Sequence, residues 1–579
     1  MTNYAKGQDQ TELLGHPIGL FVLFFTEMWE RFSYYGMRAL LTLYLTATLI
    51  EGGFGLNREE ALAIYAIFTG LVYLTPIIGG WVADKFLGKR KTVYIGGLVM
   101  AVGQFLLAAS AFLAHSLDPQ TRLFLFNLGL GVLIIGNGFF KPNISTIVGD
   151  FYDDNDPRKD SAFNIFYMGI NLGAILGPFI AGALGENVDW GWGYLAAGIG
   201  MLLSVVWLYF HENTLEDKGL PPNYEGNSNV LTAKDWKDII IYAIGLILGT
   251  LIIMVVWKAL PDKVTSAITI IGFTAGILAL GYVIFKGTNG AEEWSRMIVI
   301  LVLAFFNIAF WAGFEQAGGT MNLFAKDNTD RQMSGFDLPS FFTNIDIKVW
   351  GILAGISLLI WIYSIYIKIY SDDENKVEKF TKIGKYTGYG VVIFGVLALL
   401  KYFSEGPEIP ATWFQNVNPI AILIFAPIFS VMWLKLDKMK LNPRTPIKFA
   451  IGLFLGALAF FVMTQADHIA KTGVKVSPMW LVAVYTILTL GELMLSPIGL
   501  SMITKLAPRK LISIVMGLWM ASFAAGNYLA GMLESILHKL NESGHQLELY
   551  PFIMWVMLGS GLIVLLLSPL LNKAMKGIH

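Results

Sequence analysis

Residues Thr26 to Leu40 read T-E-M-W-E-R-F-S-Y-Y-G-M-R-A-L and lie inside an apolar run, 18–50, that otherwise has the make-up of a membrane-crossing helix. Glu27, Glu30, Arg31 and Arg38 put four charges where lipid would be. At about 1.5 Å per residue, Glu27 to Arg38 covers roughly 16 Å of axis, half the bilayer core. Glu27, Arg31, Tyr34 and Arg38 recur at i, i+4, i+7 and i+11, with Glu30 and Tyr35 flanking, so one helix face is a polar ladder. The opposite face is Phe, Leu and Trp. A charge at mid-membrane costs between about 3 and over 10 kcal/mol unless it meets a counter-charge or a wet cavity. The ladder therefore points into a protein interior. Two readings fit it, structural pairing between buried helices or a pathway for a solute or a proton, and four charges in one span favour the pathway.

The rest of the chain agrees with a membrane setting. Its 579 residues are 55% hydrophobic and 14% charged, with mean hydropathy +0.60, which places it among polytopic membrane proteins with an all-α architecture. A formal net charge of -1 gives no reason to expect a nucleic-acid partner. With no cysteine, disulfides, thiolate metal sites and iron–sulfur clusters are excluded. The seven histidines fall in loops, tails or span ends, so no buried haem or zinc site and no cofactor is expected. The N-terminus lacks a cleavable signal pattern, and the first span should act as its own anchor.

Sixteen apolar runs are long enough to cross about 30 Å. Six come first, at 18–50, 58–84, 91–115, 121–150, 160–185 and 190–211, making an N-terminal bundle over 1–211. Residues 212–236 are polar and rich in Pro, Gly and Asn, a linker that closes on Thr232-x-x-Asp235, a capping-box-like helix start. Two spans without mid-span charge follow within 237–286, at about 237–258 and 264–286, and 287–579 holds the C-terminal bundle, beginning with helix 294–325. An additional apolar hairpin lies at 347–403, and the last five spans fall near 413–436, 446–466, 478–506, 511–537 and 549–572. Lys/Arg-rich loops at 85–91, 371–385, 435–444 and 505–510 alternate with Lys/Arg-poor ones, which puts both termini in the cytoplasm. The acidic loop at 150–160 is the exception.

Further polar residues sit at mid-depth. Lys141, in G-N-G-F-F-K-P-N-I-S-T, lies about 14 Å of helix from Asp150, too far to snorkel, and Pro142 frees a carbonyl beside it. Glu315 lies in W-A-G-F-E-Q-A-G-G, and Glu492 in G-E-L-M-L-S-P-I-G-L, where Ser496 precedes Pro497. Setting the two middle pairs aside, Lys141 and Glu492 occupy the fourth spans of two six-helix halves, and the Glu27 ladder and Glu315 the first. Matched positions in repeated halves are where a pseudo-symmetric transporter builds its midplane site. Tyr73, Asn171, Trp311, Asn418 and Trp519 are weaker candidates, since singly such residues serve packing or interhelical hydrogen bonds as readily as ligands. Between the second and third spans, Gly80, Asp84, Lys85, Gly88, Lys89 and Arg90 form a loop in which Asp84 is expected to pair with nearby bases as a gate-side latch. Ordinary positive-inside charge is the plainer reading.

These residues resemble the proton-dependent oligopeptide transporter family of the major facilitator superfamily. The E-x-x-E-R motif stands at Glu27, Glu30 and Arg31, and F-Y-M-G-I-N-L-G (166–173), G-F-F-K-P-N-I-S-T (138–146), F-E-Q-A-G (314–318), W-F-Q-N-V-N-P (413–419) and G-E-L-M-L-S-P-I-G-L-S (491–501) are similar too. The resemblance implies the major facilitator fold, two six-helix bundles with an inserted helix pair, in the plasma membrane (a bacterial inner membrane), working as a functional monomer. It implies proton-driven uptake of di- and tripeptides, with Arg31, Tyr35 and Lys141 holding the peptide carboxylate and Asn171, Asn418 and Glu492 its amino end. Arg38 with Glu315, and Lys141 with Glu492, would be gate pairs, and Glu27, Glu30, Arg31 and Glu315 would carry the proton. Two departures stand out, the hairpin at 347–403 and Ala66 where animal relatives carry a proton-linked histidine.

A zwitterionic peptide needs a basic and an acidic wall, and the two halves supply one each. The rival within the class is another small anionic or modified-peptide substrate, such as nitrate. An intramembrane enzyme has little support, for the chain lacks H-E-x-x-H, G-x-S-x-G and a P-loop. A channel would give flux without accumulation.

Overall fold

Inside a bilayer every backbone N–H and C=O must be met within the chain, and long apolar segments meet them by becoming helices. The computed structural model describes residues 12–576 apart from 154–155, 157, 222–229, 262–263, 265–280, 336–344, 371–373 and 509. The first half holds α1 (Ile18–Thr46), α2 (Arg58–Val82), α3 (Lys89–Phe112), α4 (Pro119–Asp150), α5 (Arg158–Leu176), the short α6 (Ala183–Asn187) and α7 (Trp190–Phe210). After the linker comes α8 (Ala233–Ala259). The second half holds α9 (Gly290–Phe314), α10 (Thr320–Asp327), α11 (Ile347–Tyr370), α12 (Glu374–Ser404), α13 (Val417–Lys438), α14 (Thr445–Ala470), α15 (Met479–Leu506), α16 (Ile512–Glu542) and α17 (Leu549–Ala574).

Thirteen helical segments among the described residues are long and apolar enough to cross a membrane. α1, at 29 residues, is not among them, and its charges set it apart. With α1, the 24-residue α11 and the run at 264–286, the sixteen expected spans are accounted for, although most of the last lies outside the described residues.

Starts and stops follow local chemistry. Asn57 and Glu60 form a reciprocal capping box at α2, and Asp118 caps α4 ahead of Pro119. The Thr232/Asp235 pair forms as expected, Thr232 N–H donating to Asp235 at 2.8 Å. Three helices are less regular than their apolar runs suggest. The fifth span is broken by a π turn at Gly177–Gly182, where Pro178 removes a donor. The second span ends in a π turn at Ala83–Leu87, closed by Gly88 at φ +74°. The expected helix 294–325 is two helices joined by a 3-10 turn, Glu315–Gly318, because Gly318 and Gly319 offer little helix propensity.

In the first half α1 packs on α5 and α7, and α3 on α4 and α7. In the second, α14 packs on α15 and α17, and α9 on α16. α8 lies on α3 and α4, fixed by Lys91 to Asp235 at 2.5 Å. Residues 330–409 form a compact unit of their own. In it α11 and α12 pack as a hairpin whose base is drawn together by Arg331 to Glu408 at 2.6 Å and the Ile409 N–H on the Arg331 carbonyl at 2.9 Å.

Candidate functional site

The polar ladder of α1 is buried. Arg31 Nε donates to Glu27 at 2.9 Å and lies 2.6 Å from Glu30 Oε2, a charge contact without hydrogen-bond alignment. Asn137 of α4 donates to the other Glu30 oxygen at 3.1 Å. The Arg31 guanidinium also sits 5.6 Å from the Tyr34 ring, yet its Nη2 is buried with no partner. One arginine held by two acids keeps one donor unspent.

Two turns along, Arg38 Nη2 reaches Glu315 Oε2 at 3.1 Å, linking the first half to the second. Tyr65 of α2 adds its hydroxyl, 3.2 Å from that carboxylate and from the Glu315 carbonyl. The helix break supplies this geometry by exposing carbonyls that an unbroken helix would consume. Thr42 donates to Gly318 O at 3.0 Å and Tyr485 to Ala317 O at 3.0 Å, while Asn322 donates to Ala39 O at 2.8 Å. The bundles are thus stitched together at the face where α1 ends, here the far face. Along the seam α2 runs beside α16, with Ala66 against Gly531, where a Cβ would collide.

Toward the near face, where α1 begins, the expected charge pair across the seam is not made. Lys141 and Glu492, expected as a gate pair, are not paired, and α4 and α15 are not among the closely packed helix pairs of the described residues. Lys141 instead places its ammonium 4.4 Å from the Tyr73 ring, inside its own half. Glu492 accepts from Asn418 at 2.9 Å inside the other half, and Asn418 also reaches Thr489 at 2.9 Å. Tyr35, Tyr73, Lys141, Asn418, Glu492 and Ser496 are all half-buried although mid-span. Ser496 Oγ has no partner. Tyr73 stacks on Phe523 at 6.2 Å, and Trp311 lies tilted against Phe523 at 4.5 Å, forming an aromatic cluster. Asn171 is buried and spends its amide on the Tyr167 carbonyl at 2.9 Å. Trp519 is fully buried against Gly499 of α15, a packing position.

The loop at 80–90 needs correction. Asp84 is exposed and pairs with no base among the described residues, because the π turn carries it outward, while Lys85 lies 5.3 Å from the Trp81 ring. Its neighbours do the tying. Lys89 binds Asp150 at 2.7 Å, and the fully buried Arg90 donates to Lys218 O at 2.6 Å and to Glu216 O, fastening the loop to the start of the linker. Gly80 lies beside Pro142 and Gly88 against Pro221. Tyr65 and Asn137 were not foreseen, because a neutral polar residue in an apolar helix reads as packing. Their only signal is spacing, Tyr65 lying one turn before Thr69 on the face that meets α16.

Two helical halves closed on each other at one face, with buried acids and bases at the seam, define a secondary transporter of major facilitator architecture. The family model described as PTR2, POT family, matches residues 90–400 and 391–550. The chain belongs to the POT family, and so is a membrane transporter and not an enzyme. Among its relatives, the uncharacterized transporter YclF of Bacillus subtilis is 33% identical over 576 residues, covering 99% of this chain and 98% of that protein. The peptide transporter YePEPT of Yersinia enterocolitica is 33% identical, covering 92% and 89%. A solved structure described as peptide transporter POT in complex with sulfate is similar at TM-score 0.71 and 32% identity, covering 98% of each chain.

Proposed function

We propose that this chain is a proton-coupled symporter that imports di- and tripeptides across the plasma membrane, with both termini and the near face cytoplasmic. The observation that carries the reading is the division of mid-span charge between the halves, half-buried Lys141 and the buried spare Arg31 donor on one half and half-buried Glu492 with Asn418 on the other. A peptide carboxylate meets the first wall and its ammonium the second, while Tyr35, Tyr73, Trp311 and Ser496 meet the variable side chains. Relatives named as peptide transporters and as di-/tripeptide transporters, the latter from Lactococcus lactis, support the substrate class.

Pairs that cross the seam at the far face, with Lys141 and Glu492 each held within its own half, suit a state that follows delivery. The proton rides on Glu27, Glu30 and Glu315, each of which exchanges an arginine partner for a proton as the gates change. Each charge moved is driven by about 2.3 kcal/mol per 100 mV. Ala66 packs on α16 and cannot serve, so coupling rests on these carboxylates.

Uptake of labelled Ala-Ala into proteoliposomes under an inward proton gradient tests this directly. Accumulation that needs the gradient and vanishes in Lys141→Ala is expected, and gradient-independent leakage would point to a channel. A second reading, a small amino-acid-like acid as cargo, is favoured by a similar POT structure described in complex with 5-aminolevulinic acid. Competition of Ala-Ala uptake by that acid, and by nitrate, ranks the substrates.

A further inference from the structure

The closed far face contains a contact at some remove from the Arg38–Glu315 pair. Glu186, in α6 at the end of the fifth span, lays its carboxylate across the seam onto the start of the eighth core helix. Oε2 accepts from the Ala411 N–H at 2.8 Å, and Oε1 accepts from the Thr412 N–H at 2.9 Å and the Thr412 hydroxyl at 2.6 Å. Ala411 opens the 3-10 turn Ala411–Asn416 that runs straight into α13, so these are the orphan donors at the head of a 28-residue helical span. The preceding Pro410 makes no side-chain cap. An anion placed there also meets the positive end of the helix dipole. Beside it Trp413 stacks on Phe179 at 4.5 Å and donates to the Phe179 carbonyl at 3.2 Å, and Thr412 lies against Gly182, where a Cβ would collide.

A helix whose cap comes from the opposite half must give that cap up whenever the halves part on that face. We propose that Glu186 is a far-face latch, a positioning residue that caps the eighth core helix from across the seam while the face is shut and withdraws when it opens. This rests on the alternating-access part of the function proposed above but needs neither peptide nor proton. It also gives W-F-Q-N-V-N-P a second duty, with Trp413 and the residues just before it closing the gate and Asn418 serving the cargo.

The chain has no native cysteine, so one introduced thiol reports alone. Thr42 is fully buried at the seam with its hydroxyl on the Gly318 carbonyl, and Thr42→Cys is shielded unless the far face opens. In nanodiscs without substrate, Glu186→Ala should raise the labelling rate of that thiol by roughly five- to thirtyfold, the population shift expected when one charged helix cap is lost. Glu186→Gln, whose amide oxygen still accepts from Thr412, and Thr412→Val, which loses a single bond, should give smaller rises in the same direction. KM measured from the far side should fall together with the maximal rate, because the outward-open fraction grows. A variant that merely folds less well would lose rate at constant KM.

Background labelling in Glu186→Ala overturns the latch, and if that variant does not fold, flat labelling in both milder variants overturns it equally. Arg38→Ala, labelled in parallel, separates the two ideas. If it rises while Glu186→Ala does not, the latch alone is wrong; if it too stays at background, the gate reading of this face falls with it.

Discussion

At the far face, charges and carbonyls are matched across the seam, Arg38 on Glu315, Tyr65 on the same carboxylate, Thr42 on Gly318 and Glu186 on the head of the eighth core helix. At the near half, Lys141 rests on Tyr73 and Glu492 on Asn418, each within its own bundle. Both arrangements meet the demand of a buried charge, one with a counter-charge and the other with a neutral partner. The neutral partners are what let the two halves separate without leaving a bare ion behind, since breaking a buried pair outright costs about 3–5 kcal/mol. Parting the near side is therefore tolerable because each half has a substitute ready.

That contrast can be broken or sharpened experimentally. Removing one side of a far-face pair should hurt most. Arg38→Ala leaves Glu315 buried with only Tyr65, a cost of about 3–5 kcal/mol, and gradient-driven peptide uptake should fall by more than a hundredfold. Near-normal uptake would mean that the far face does not depend on ionic closure. Glu492→Gln keeps the hydrogen bond to Asn418 but loses the charge, and uptake should drop roughly tenfold, about 1.4 kcal/mol, while Thr42→Cys labelling at the far face stays unchanged. A labelling change there would show that the two ends are not held separately. Tyr65→Phe removes one of two partners of Glu315, and a loss of about 1 kcal/mol should appear as about a fivefold change in uptake efficiency. The smallest effect lies outside the membrane. Lys471, 3.1 Å away and hydrogen-bonded, with help from His468 and against slight burial, holds the Glu548 carboxyl below its usual range. A lowered value stabilises the fold above the usual carboxylate range and is lost as pH falls through it. Glu548→Gln should therefore melt about a degree lower at pH 7, with the gap closing in acid, as expected for an exposed pair.

Much of this was legible because a charge in an apolar run has few permitted fates. Glu27, Glu30, Arg31 and Arg38 had to find partners; repeat position put Glu315 in the span that corresponds to the first helix, and the resemblance to the transporter family supplied its pairing with Arg38. The Lys141–Glu492 pair was the converse case. The residues are placed as expected, but a linear string does not say which face of an alternating machine is shut. Glu186 escaped notice because at a span end it looks like any solvated acid, and its partners are backbone groups that carry no signature. Asp84 was assigned a latch for the opposite reason, a conspicuous side chain in a glycine-framed loop, whereas the tying falls to Arg90 and the linker carbonyls.

The interruption after Phe314 has a practical consequence for anyone mapping this protein by mutagenesis. Beside the Glu315 carboxylate and the Gln316 amide, residues 315–318 present peptide oxygens that are taken up by Tyr65, Tyr485 and Thr42. Alanine at Gln316 removes its buried bonds to the Ala530 carbonyl and the Thr320 hydroxyl, and alanine at Gly318 drives a Cβ into the Tyr65 hydroxyl and Arg38, so either replacement disturbs the seam through side chains while leaving the peptide oxygens chemically unchanged. A scan of side chains therefore cannot isolate the main-chain share, and only an amide-to-ester exchange along the main chain, which weakens the oxygen itself, would reveal how much of the closure those carbonyls bear.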